Sequence, residues 1–546
     1  MTKINHDDLI FLPLGGSGEI GMNANLYHYK GRWLMIDLGI SFPDDTMPGV
    51  DVVLPDLRFI EERSENLEAI ILTHAHEDHF GAIPYLWERL QVPVYGTAFT
   101  LALLRRKLAE ARLDVHIPMH EIEYNIDYNF GPFSVELVSM THSIPDPAAL
   151  VLRTPEGVVL HTGDWKFDAT PMLGEDADKA RLRALGDEGV MALIGDSTNA
   201  MVPGHTPSEA VACAGLTKVI AEAENMVAVT CFASNVARIE SIITAASANN
   251  RSVCIAGRAL NRTISAAKEV GYLRDIPDFV PESDASLIPR ENLVIICTGS
   301  QGESRAAMAR IANGMHEQIS LNAGDTVIFS SRKIPGNEQA IGRVQDALLR
   351  GRVHLVTDEE ADVHVSGHPS RDELTEMYSL IRPKIAIPVH GTARHLLAHA
   401  ELAENCQVAQ TLIPENGDMI KFKAGKAEIE GQAPTGLLTH EGGEIVDLQS
   451  DFLRVRRRML WNGTVTISVV LSGAGHLLMA PQISQSGLCS EQQEVDFIAD
   501  ASLAVEDALM DHFEKSKRDI RTYEQIVTSA VRSLAKQRFR LRPTVH

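Results

Sequence analysis

Three histidines and two acidic residues occupy a six-residue stretch of the chain, from His74 to His79. The stretch is part of THAHEDHFG, residues 73–81, and follows the apolar run LEAIIL. Neutral imidazole and carboxylate groups suit zinc and similar cations, with no thiolate required. Without a cation, Asp78 would be buried among histidines whose lone pairs lack partners, which is costly. The HxHxDH pattern therefore predicts a metal centre at a strand-to-helix turn.

One loop cannot saturate two metal ions, so further ligands must come from elsewhere in the chain. Apolar strands recur along the sequence with a polar residue directly after each: His142, Asp164, Asp196 and His390. Ligands in open α/β sheets collect at the carboxyl ends of strands, so these segments are expected to converge on one cleft. A carboxylate can bridge two cations, which places Asp164 between them. We assign one metal to His74, His76 and His142, and the other to Asp78, His79 and His390.

Such a pair of cations has a definite chemistry. Two ions about 3.5–4 Å apart can share a hydroxide and clamp a phosphodiester for in-line attack. Asp78 or Asp164 could take the proton from the attacking water. His368, in the segment HVSGHPS, could stabilise the departing oxygen as an imidazolium. The alternative for His368 is an ordinary histidine in an exposed turn.

The length and composition limit the class of protein. A chain of 546 residues is too long for one core, so two or three domains are expected. The sequence has no run of about 18 apolar residues and no signal-peptide h-region, so we expect no membrane association. The six cysteines are far apart and form no CxxC pair. This spacing predicts a reducing, cytoplasmic environment and argues against disulfides and a thiolate zinc site.

The net charge of −23 would ordinarily disfavour a nucleic-acid partner. The charge is uneven, however, because nine Lys and Arg residues lie between 515 and 542, and RVRRR forms a second basic cluster at 454–458. The two clusters are equally compatible with nucleic-acid contact and with a solvated tail and strand edge. The net charge therefore neither supports nor excludes a nucleic-acid partner.

Strand-like and helix-like runs alternate through most of the chain, which is typical of an α/β fold. The polar strand ends disappear after residue 208 and return at 364 with HVSGHPS. An α/β insertion that splits the first domain explains this pattern. We therefore divide the chain into a first domain at 1–208 and 356–435, an insertion at 209–355, a linker at 436–452 and a C-terminal domain at 453–546.

The motifs together resemble a known superfamily. THAHEDH, with Asp37, His142, Asp164 and the distal His390, resembles the metallo-β-lactamase fold, an αββα sandwich with a dinuclear zinc site. The insertion after GDSTN, followed by HVSGH and PVHG, resembles the β-CASP branch of that superfamily. FASNVARI, TGSQGE and the additional α+β C-terminal unit are similar to bacterial ribonuclease J. The resemblance covers nearly the whole chain.

The resemblance implies roles for individual residues. The seven assigned ligands match the zinc ligands of the family, with Asp37 behind them. Asp196, His368 and His390 fall on the three β-CASP motifs, and in the family the residue matching His368 contacts the scissile phosphate. Two segments match those that hold RNA: Ala233, Ser234 and Asn235, and His364, Val365, Ser366, Gly367 and His368.

The resemblance also implies an activity. It predicts two Zn²⁺ per chain, with Mn²⁺ or Mg²⁺ compatible as activators. It further predicts endonuclease cleavage of RNA and 5′-to-3′ exonuclease cleavage from a 5′-monophosphate end, in RNA maturation and mRNA decay. Expected partners are RNA, a second copy in a homodimer or homotetramer, and other RNA-decay proteins.

Several alternatives stay open on sequence grounds. GSGEIG at 16–21 fits a dinucleotide motif, but two strands follow it instead of a helix, so a tight glycine hairpin beside the cleft is preferred. TGSQGES could hold a phosphate at a helix start or form a plain turn, and Arg258 has equal odds of contacting RNA. The competing functions are a small-molecule hydrolase such as a thioesterase or lactonase, a non-catalytic RNA-binding subunit, and a nuclease for DNA.

Overall fold

The computed structural model describes residues 4–44, 46–111, 116–334, 336–473, 476–513 and 520–546. Among them, no helix combines the length and apolar character needed to cross a bilayer. All six cysteines are free thiols, as their spacing predicts. The basic residues Lys515, Lys517 and Arg518 of the C-terminal cluster lie outside the described ranges.

The first segment of the chain is rich in strands. Its strands are β1 Leu9–Gly15, β2 Ser17–Gly18, β3 Ala24–Tyr29, β4 Arg32–Ile36, β5 Leu54–Pro55, β6 Leu67–Ile71, β7 Val94–Gly96, β8 Met119–Glu121, β9 Asp127–Phe130, β10 Phe133–Ser139, β11 Ala148–Thr154, β12 Gly157–His161 and β13 Ala192–Asp196. Its helices are α1 Arg58–Glu61, α2 Glu77–Phe80, α3 Ile83–Leu86, α4 Ala98–Glu110 and α5 Lys179–Glu188.

The inserted segment alternates helices with parallel strands. Its elements are α6 Glu209–Glu222, β14 Val227–Thr230, α7 Val236–Ala248, β15 Ser252–Ala256, α8 Arg258–Glu269, β16 Leu293–Cys297, α9 Ala307–Ala312, β17 Thr326–Phe329, α10 Glu338–Arg350 and β18 His354–Val356. The strands form one parallel sheet in the order β15-β16-β14-β17-β18. The central strands β14 and β16 are fully buried and nearly all apolar, as expected for a sheet covered by helices on both faces.

The chain then returns to the first domain. The returning elements are α11 Arg371–Ile381, β19 Ile385–Val389, β20 Gly391–Thr392, α12 Ala393–Asn405, β21 Gln410–Thr411, β22 Asp418–Lys423 and β23 Lys426–Gln432. They complete two sheets, one ordered β23-β22-β1-β3-β4-β6-β7-β8 and the other β21-β19-β13-β12-β11-β10-β9. Phe11, Ile71, Leu137 and Ile387 belong to one core cluster between these sheets. The expected αββα sandwich with an inserted α/β domain is confirmed.

The remaining elements belong to a separate compact unit of residues 42–52 and 437–546. They are β24 Leu437–Glu441, β25 Glu444–Asp447, α13 Asp451–Asn462, β26 Thr464–Ser468, β27 Gln482–Ser486, α14 Glu491–Phe513, α15 Ile520–Phe539 and β28 Thr544–Val545. Val465, Phe497, Val505 and Val531 form its core.

The structure of this unit differs from the sequence analysis in three places. The stretch 436–452 is not a bare linker, because β24 and β25 pair there as an antiparallel hairpin. Residues 42–52, assigned to the first domain, group with the C-terminal unit through packing that no local pattern reveals. RVRRR lies on helix α13 and not on a strand edge, and Arg456 there pairs with Glu441 at 2.9 Å.

The inserted domain contacts the first domain at several places, and two of these junctions contain pairs of arginine and glutamate. The lateral junction, between helices α4 and α8, consists of exposed ion pairs among Arg105, Arg106, Glu110, Arg262 and Glu269. The basal junction lies where the chain enters and leaves the insertion, and consists of Glu209, Arg238, Ser330 and residues 363–365.

Candidate metal centre

The HxHxDH stretch leaves strand β6 and forms the short helix α2, as its sequence predicts. The turn is held against the residues that follow strand β4: Leu38 N donates to His79 O at 2.6 Å, and Gly39 lies directly against the turn. A Cβ at Gly39 would stand 1.7 Å from Asp78 O, so only glycine allows this approach. Helix α2 ends at Phe80, and the next helix, α3, starts only at Ile83, with Pro84 in its first turn.

The remaining candidate residues come from strand ends, as expected. Strand β13 pairs in parallel with β12 and with β19, and the register joins Asp196 to Val389. His390, directly after β19, has a left-handed backbone (φ 51°) and its N–H donates to Gly16 O at 2.7 Å. Strand β2 of the glycine loop pairs with β20, so this loop is a turn beside the cleft and not a dinucleotide site.

The structure brings all seven assigned residues together, in two groups whose nitrogen and oxygen atoms lie within 4.8 Å of one another. One group contains His74, His76, His142 and Asp164. The other contains Asp78, His79, Asp164 and His390. A third group joins Asp164 to Asp196, His368 and His390. Asp164 is common to all three, and the metal-binding role of these residues stays a prediction.

The first group is chemically suited to a cation. His76 Nδ1 lies 3.1 Å from His74 Nε2 and 3.0 Å from His142 Nε2, so ring nitrogens face one another. Burial lowers the pKa of His76 to about 4 and the pKa values of His74 and His142 well below their usual range. These rings are therefore neutral and present lone pairs. Asp164 Oδ1 is buried and accepts no hydrogen bond from the described residues, although His390 Nδ1 lies 3.2 Å away, and a cation would satisfy this oxygen.

The second group balances its charges internally. His390 Nε2 lies 3.2 Å from Asp78 Oδ2, and His79 Nε2 lies 3.2 Å from Asp164 Oδ2. Burial opposes charge on His390, but Asp164 and hydrogen bonds to Asp196 and Asp78 raise its pKa to about 10. Burial likewise opposes charge on Asp78, but His79 and His390 lower its pKa well below the usual range. The donor atoms are again imidazole nitrogens and carboxylate oxygens, which suit zinc.

Residues behind these groups fix their orientation. Asp37 is fully buried: its Oδ2 lies 2.7 Å from His79 Nδ1, and its Oδ1 accepts from Thr73 N at 2.8 Å. Gly367 O lies 2.6 Å from His142 Nδ1. A backbone or carboxylate oxygen on one ring nitrogen leaves the other nitrogen for a metal.

His368 lies beside the same carboxylates. Its Nδ1 is 2.8 Å from Asp196 Oδ2 and 3.9 Å from Asp164 Oδ2. Burial opposes protonation, but the charges of Asp196 and Asp164 raise the pKa of His368. Because Nδ1 faces Asp196, Nε2 is the nitrogen available to a substrate. The ordinary-loop alternative for His368 therefore finds no support in the geometry.

The comparisons with known proteins cover the whole architecture. Residues 18–205 match the metallo-beta-lactamase superfamily, 224–348 the ribonuclease J beta-CASP domain, 359–412 the Zn-dependent metallo-hydrolase RNA specificity domain, and 451–546 the ribonuclease J C-terminal domain. Ribonuclease J of Sinorhizobium meliloti is 44% identical, over 100% of this chain and 98% of that protein. The chain belongs to the ribonuclease J family.

Other members of the ribonuclease J family are also similar to this chain over most of their length. Ribonuclease J of Mycobacterium tuberculosis is 41% identical over 88% of this chain and 87% of that protein. Ribonuclease J 1 of Streptococcus pyogenes is 35% identical over 100% and 98%. A solved Enterococcus faecalis V583 protein of unknown function, 19% identical with a TM-score of 0.54 over 76% of this chain and 100% of its own, shares the fold alone. As a ribonuclease J homologue, the chain is a zinc-dependent metallo-hydrolase of RNA.

The residues expected to hold RNA lie in two places, and only one of them contacts the metal groups. Asn235 is buried and caps helix α7, where its side chain accepts from Arg238 N at 2.8 Å; Ala233 and Ser234 precede it and are partly exposed. Segment 364–368 lies against the metal groups through Gly367 and His368. TGSQGES is not at a helix start, because α9 begins only at Ala307 and has six residues.

Sequence reasoning missed several residues that support this ribonuclease J site. Thr73 contacts Asp37 and His74, and Asn23 Nδ2 lies 3.1 Å from His79 Nε2. Asn199 donates to Ser366 Oγ at 2.9 Å and to His368 O at 3.1 Å. Thr73 and Asn199 lie within the quoted motifs THAHEDH and GDSTN, so their positions in the sequence could have identified them as residues of the site. Glu77, in the motif itself, points away from the metal groups and pairs with Lys107 of helix α4.

Proposed function

We propose that the chain cuts RNA internally and also degrades it in the 5′-to-3′ direction from a 5′-monophosphate end, in RNA maturation and mRNA decay. The observation that carries this proposal is Asp164, which belongs to both candidate metal groups and lies 3.9 Å from His368. A hydrolytic centre and the segment assigned to RNA therefore meet at one carboxylate. The names of the relatives support RNA as the substrate class.

We assign two Zn²⁺ per chain, with Mn²⁺ or Mg²⁺ compatible with the same nitrogen and oxygen donors. The proposed ligands are His74, His76 and His142 for one ion, Asp78, His79 and His390 for the other, and Asp164 for both. When bound, the ions supply a nucleophile at neutral pH and neutralise charge that develops on the phosphodiester.

The residues of the chain have separate tasks in this proposal. Asp37 and Gly367 hold the His79 and His142 rings in position. The carboxylate of Asp78 is ionised and its side chain is 29% exposed, so it is better placed than Asp164 to take a proton from an incoming water. His368, kept protonated by Asp196, can donate from Nε2 to the departing oxygen.

RNA binding is assigned to residues 233–235 and 364–368 on the strength of their match to the family pattern. TGSQGES and Arg258 remain candidates for contact with the RNA end or backbone, and Arg258 is exposed at the start of helix α8. A homodimer or homotetramer, contacts with other RNA-decay proteins and a cytoplasmic location are part of the proposal and follow from the family resemblance.

The direct test uses one RNA with either a 5′-monophosphate or a 5′-triphosphate, supplied with Zn²⁺, Mn²⁺ or Mg²⁺. The wild type should release mononucleotides faster from the monophosphate form and should also cut a circular RNA, which has no end. His76→Ala should abolish both activities. His120→Ala, a change at an exposed histidine stacked on Tyr95, should leave both unchanged.

The alternatives predict other results. Cleavage of single-stranded DNA at the same rate would remove the assignment to RNA. Retention of both RNAs intact, with hydrolysis of thioesters or lactones, would favour a small-molecule hydrolase. Tight RNA binding without cleavage under any metal would favour a binding subunit.

A further inference from the structure

Arg238 is a buried cation at the start of helix α7. Its side chain is 0% exposed, and its charge is met by Glu209, the first residue of helix α6. The guanidinium is bidentate: Nε donates to Glu209 Oε1 at 2.6 Å and Nη2 donates to Oε2 at 2.9 Å. Removal of either partner would leave an uncompensated buried charge, so the pair fixes the guanidinium in place.

The other side of the guanidinium faces the segment that leaves the inserted domain. Nη1 donates to Val363 O at 3.3 Å and to Ser330 Oγ at 2.7 Å, and Nη2 donates to Val365 O at 3.4 Å. Ser330 Oγ in turn donates to Val363 O at 2.7 Å. One side chain of the inserted domain therefore holds two main-chain carbonyls at the beginning of the segment assigned to RNA.

His364, between those carbonyls, is also held by Arg238. Nη1 lies 3.0 Å from His364 Nδ1, and the same ring also forms a hydrogen bond with the backbone of Ser330. Burial, and then the charge of Arg238, hold the pKa of His364 well below its usual range. His364 is partly exposed, and its neutral ring lies at the beginning of the segment assigned to RNA.

The other end of the segment is held by different residues. Asp196 contacts His368, His142 contacts Gly367 O, and Asn199 donates to Ser366 Oγ at 2.9 Å. A Cβ at Gly367 would stand 2.7 Å from the His142 ring, so this end is packed closely against the metal groups. The position of His368 therefore does not depend on Arg238.

We propose that Arg238 is a positioning residue for RNA: through Val363, His364 and Val365 it sets the substrate-contacting face of the segment, and not the reacting end at His368. This inference rests on the proposed ribonuclease function. It predicts that changes at Arg238 weaken RNA binding while the cleavage rate of bound RNA is retained. A residue that served folding alone would instead lower the active fraction and leave the affinity of the folded enzyme unchanged.

The test uses two variants of the full chain. Arg238→Lys keeps the charge opposite Glu209, but a single ammonium cannot reach both carbonyls and the imidazole. The double variant Arg238→Gln, Glu209→Gln removes both charges, so neither is left buried without a partner. It is included because a variant that loses only one of the two charges could fail to fold. The matched control is Arg106→Lys, which changes an arginine of the lateral junction that pairs with Glu269.

The dissociation constant for an RNA is measured with each change in a His76→Ala background, and the saturating cleavage rate is measured in the native background. Both Arg238 variants should raise the dissociation constant about tenfold and change the saturating rate by less than about threefold, whereas Arg106→Lys should change neither. An unchanged dissociation constant in folded variants, or a loss confined to the cleavage rate, would overturn the inference. Absence of RNA cleavage by the wild type would instead overturn the proposed function itself.

Discussion

The two junctions between the inserted and first domains use the same chemistry in opposite surroundings. Both pair arginine with glutamate. In the basal junction the Arg238 and Glu209 side chains are 0% and 6% exposed. In the lateral junction the Arg106 and Glu269 side chains are 26% and 43% exposed.

This difference in burial decides what each pair contributes. A buried pair cannot lose one member without a large cost, because the other charge stays away from water. An exposed pair gains little, since water and salt screen it. The basal junction therefore fixes the geometry of the segment that reaches the metal groups, whereas the lateral junction adjusts the contact between helices α4 and α8.

The largest expected effect comes from breaking the basal pair. Arg238→Ala should lower the free energy of unfolding by about 3–5 kcal/mol, because the Glu209 carboxylate remains buried and unpaired. Urea denaturation followed by circular dichroism measures this change. The double variant with Glu209→Gln should recover part of the loss, and a loss below about 1 kcal/mol in the single variant would contradict the contrast between the junctions.

A contact of intermediate burial should give an intermediate effect. The Tyr272 hydroxyl, on the inserted domain, donates to Asp146 Oδ1 on the first domain, and burial raises the pKa values of both groups. Tyr272→Phe removes one donor to this carboxylate and should cost about 1–3 kcal/mol. The midpoint of urea unfolding reports it, and a midpoint equal to that of the wild type would show that Asp146 finds another partner.

Acid should weaken the basal junction and spare the lateral one. The pKa of His364 is lower in the folded chain than in the unfolded chain, so the unfolded state binds more protons as the pH falls below about 6.5. This group then reduces stability by up to about 1.4 kcal/mol per pH unit. Glu269, whose pKa Arg106 lowers, keeps its charge in this range.

The comparison of wild type with His364→Gln between pH 7.5 and 5.5 isolates that contribution. The variant should lose less stability on acidification, as measured by urea unfolding at each pH. Parallel pH profiles would mean that His364 is protonated in both states or in neither.

The smallest effect is expected at the lateral junction. Arg106→Ala should cost no more than about 1 kcal/mol at low salt. The difference should vanish near 1 M salt, where the Debye length falls to about 3 Å. Thermal unfolding of both proteins across a salt series tests this, and a cost that persists at high salt would place Arg106 among the buried contacts.

The convergence of the candidate metal ligands was largely predictable, and the basal junction was not. HxHxDH puts four potential ligands in one turn, and the rule that ligands gather at strand ends brings His142, Asp164 and His390 to it. Arg238 and Glu209 are 29 residues apart and lie on different helices, so their pairing depends on how α6 packs on α7. In the sequence, Arg238 lies within FASNVARI, but nothing in that motif indicates which residue it pairs with.

The dependence of structure on packing also explains why the sequence analysis and the structure differ in the C-terminal region. The glycine-rich stretch before residue 452 has the composition of a linker, although β24 and β25 pair there as antiparallel strands. RVRRR has no apolar periodicity of its own, and the stacking of Arg456 on Phe452, at 5.2 Å, becomes visible only once the helix is formed. Local composition could not distinguish these outcomes.

The parallel pairing of β13 with β19 also has a consequence for synthesis on the ribosome. Ala192 to Asp196 must wait for Ile385 to Val389, which are made after the entire inserted domain. At about 5–20 residues per second, nearly two hundred residues take roughly 10–40 s. During that interval strand β13 is an uncovered edge and His390 does not yet exist. The nascent first domain therefore has an unpaired strand edge and lacks one of its proposed metal ligands until the chain is about three-quarters made.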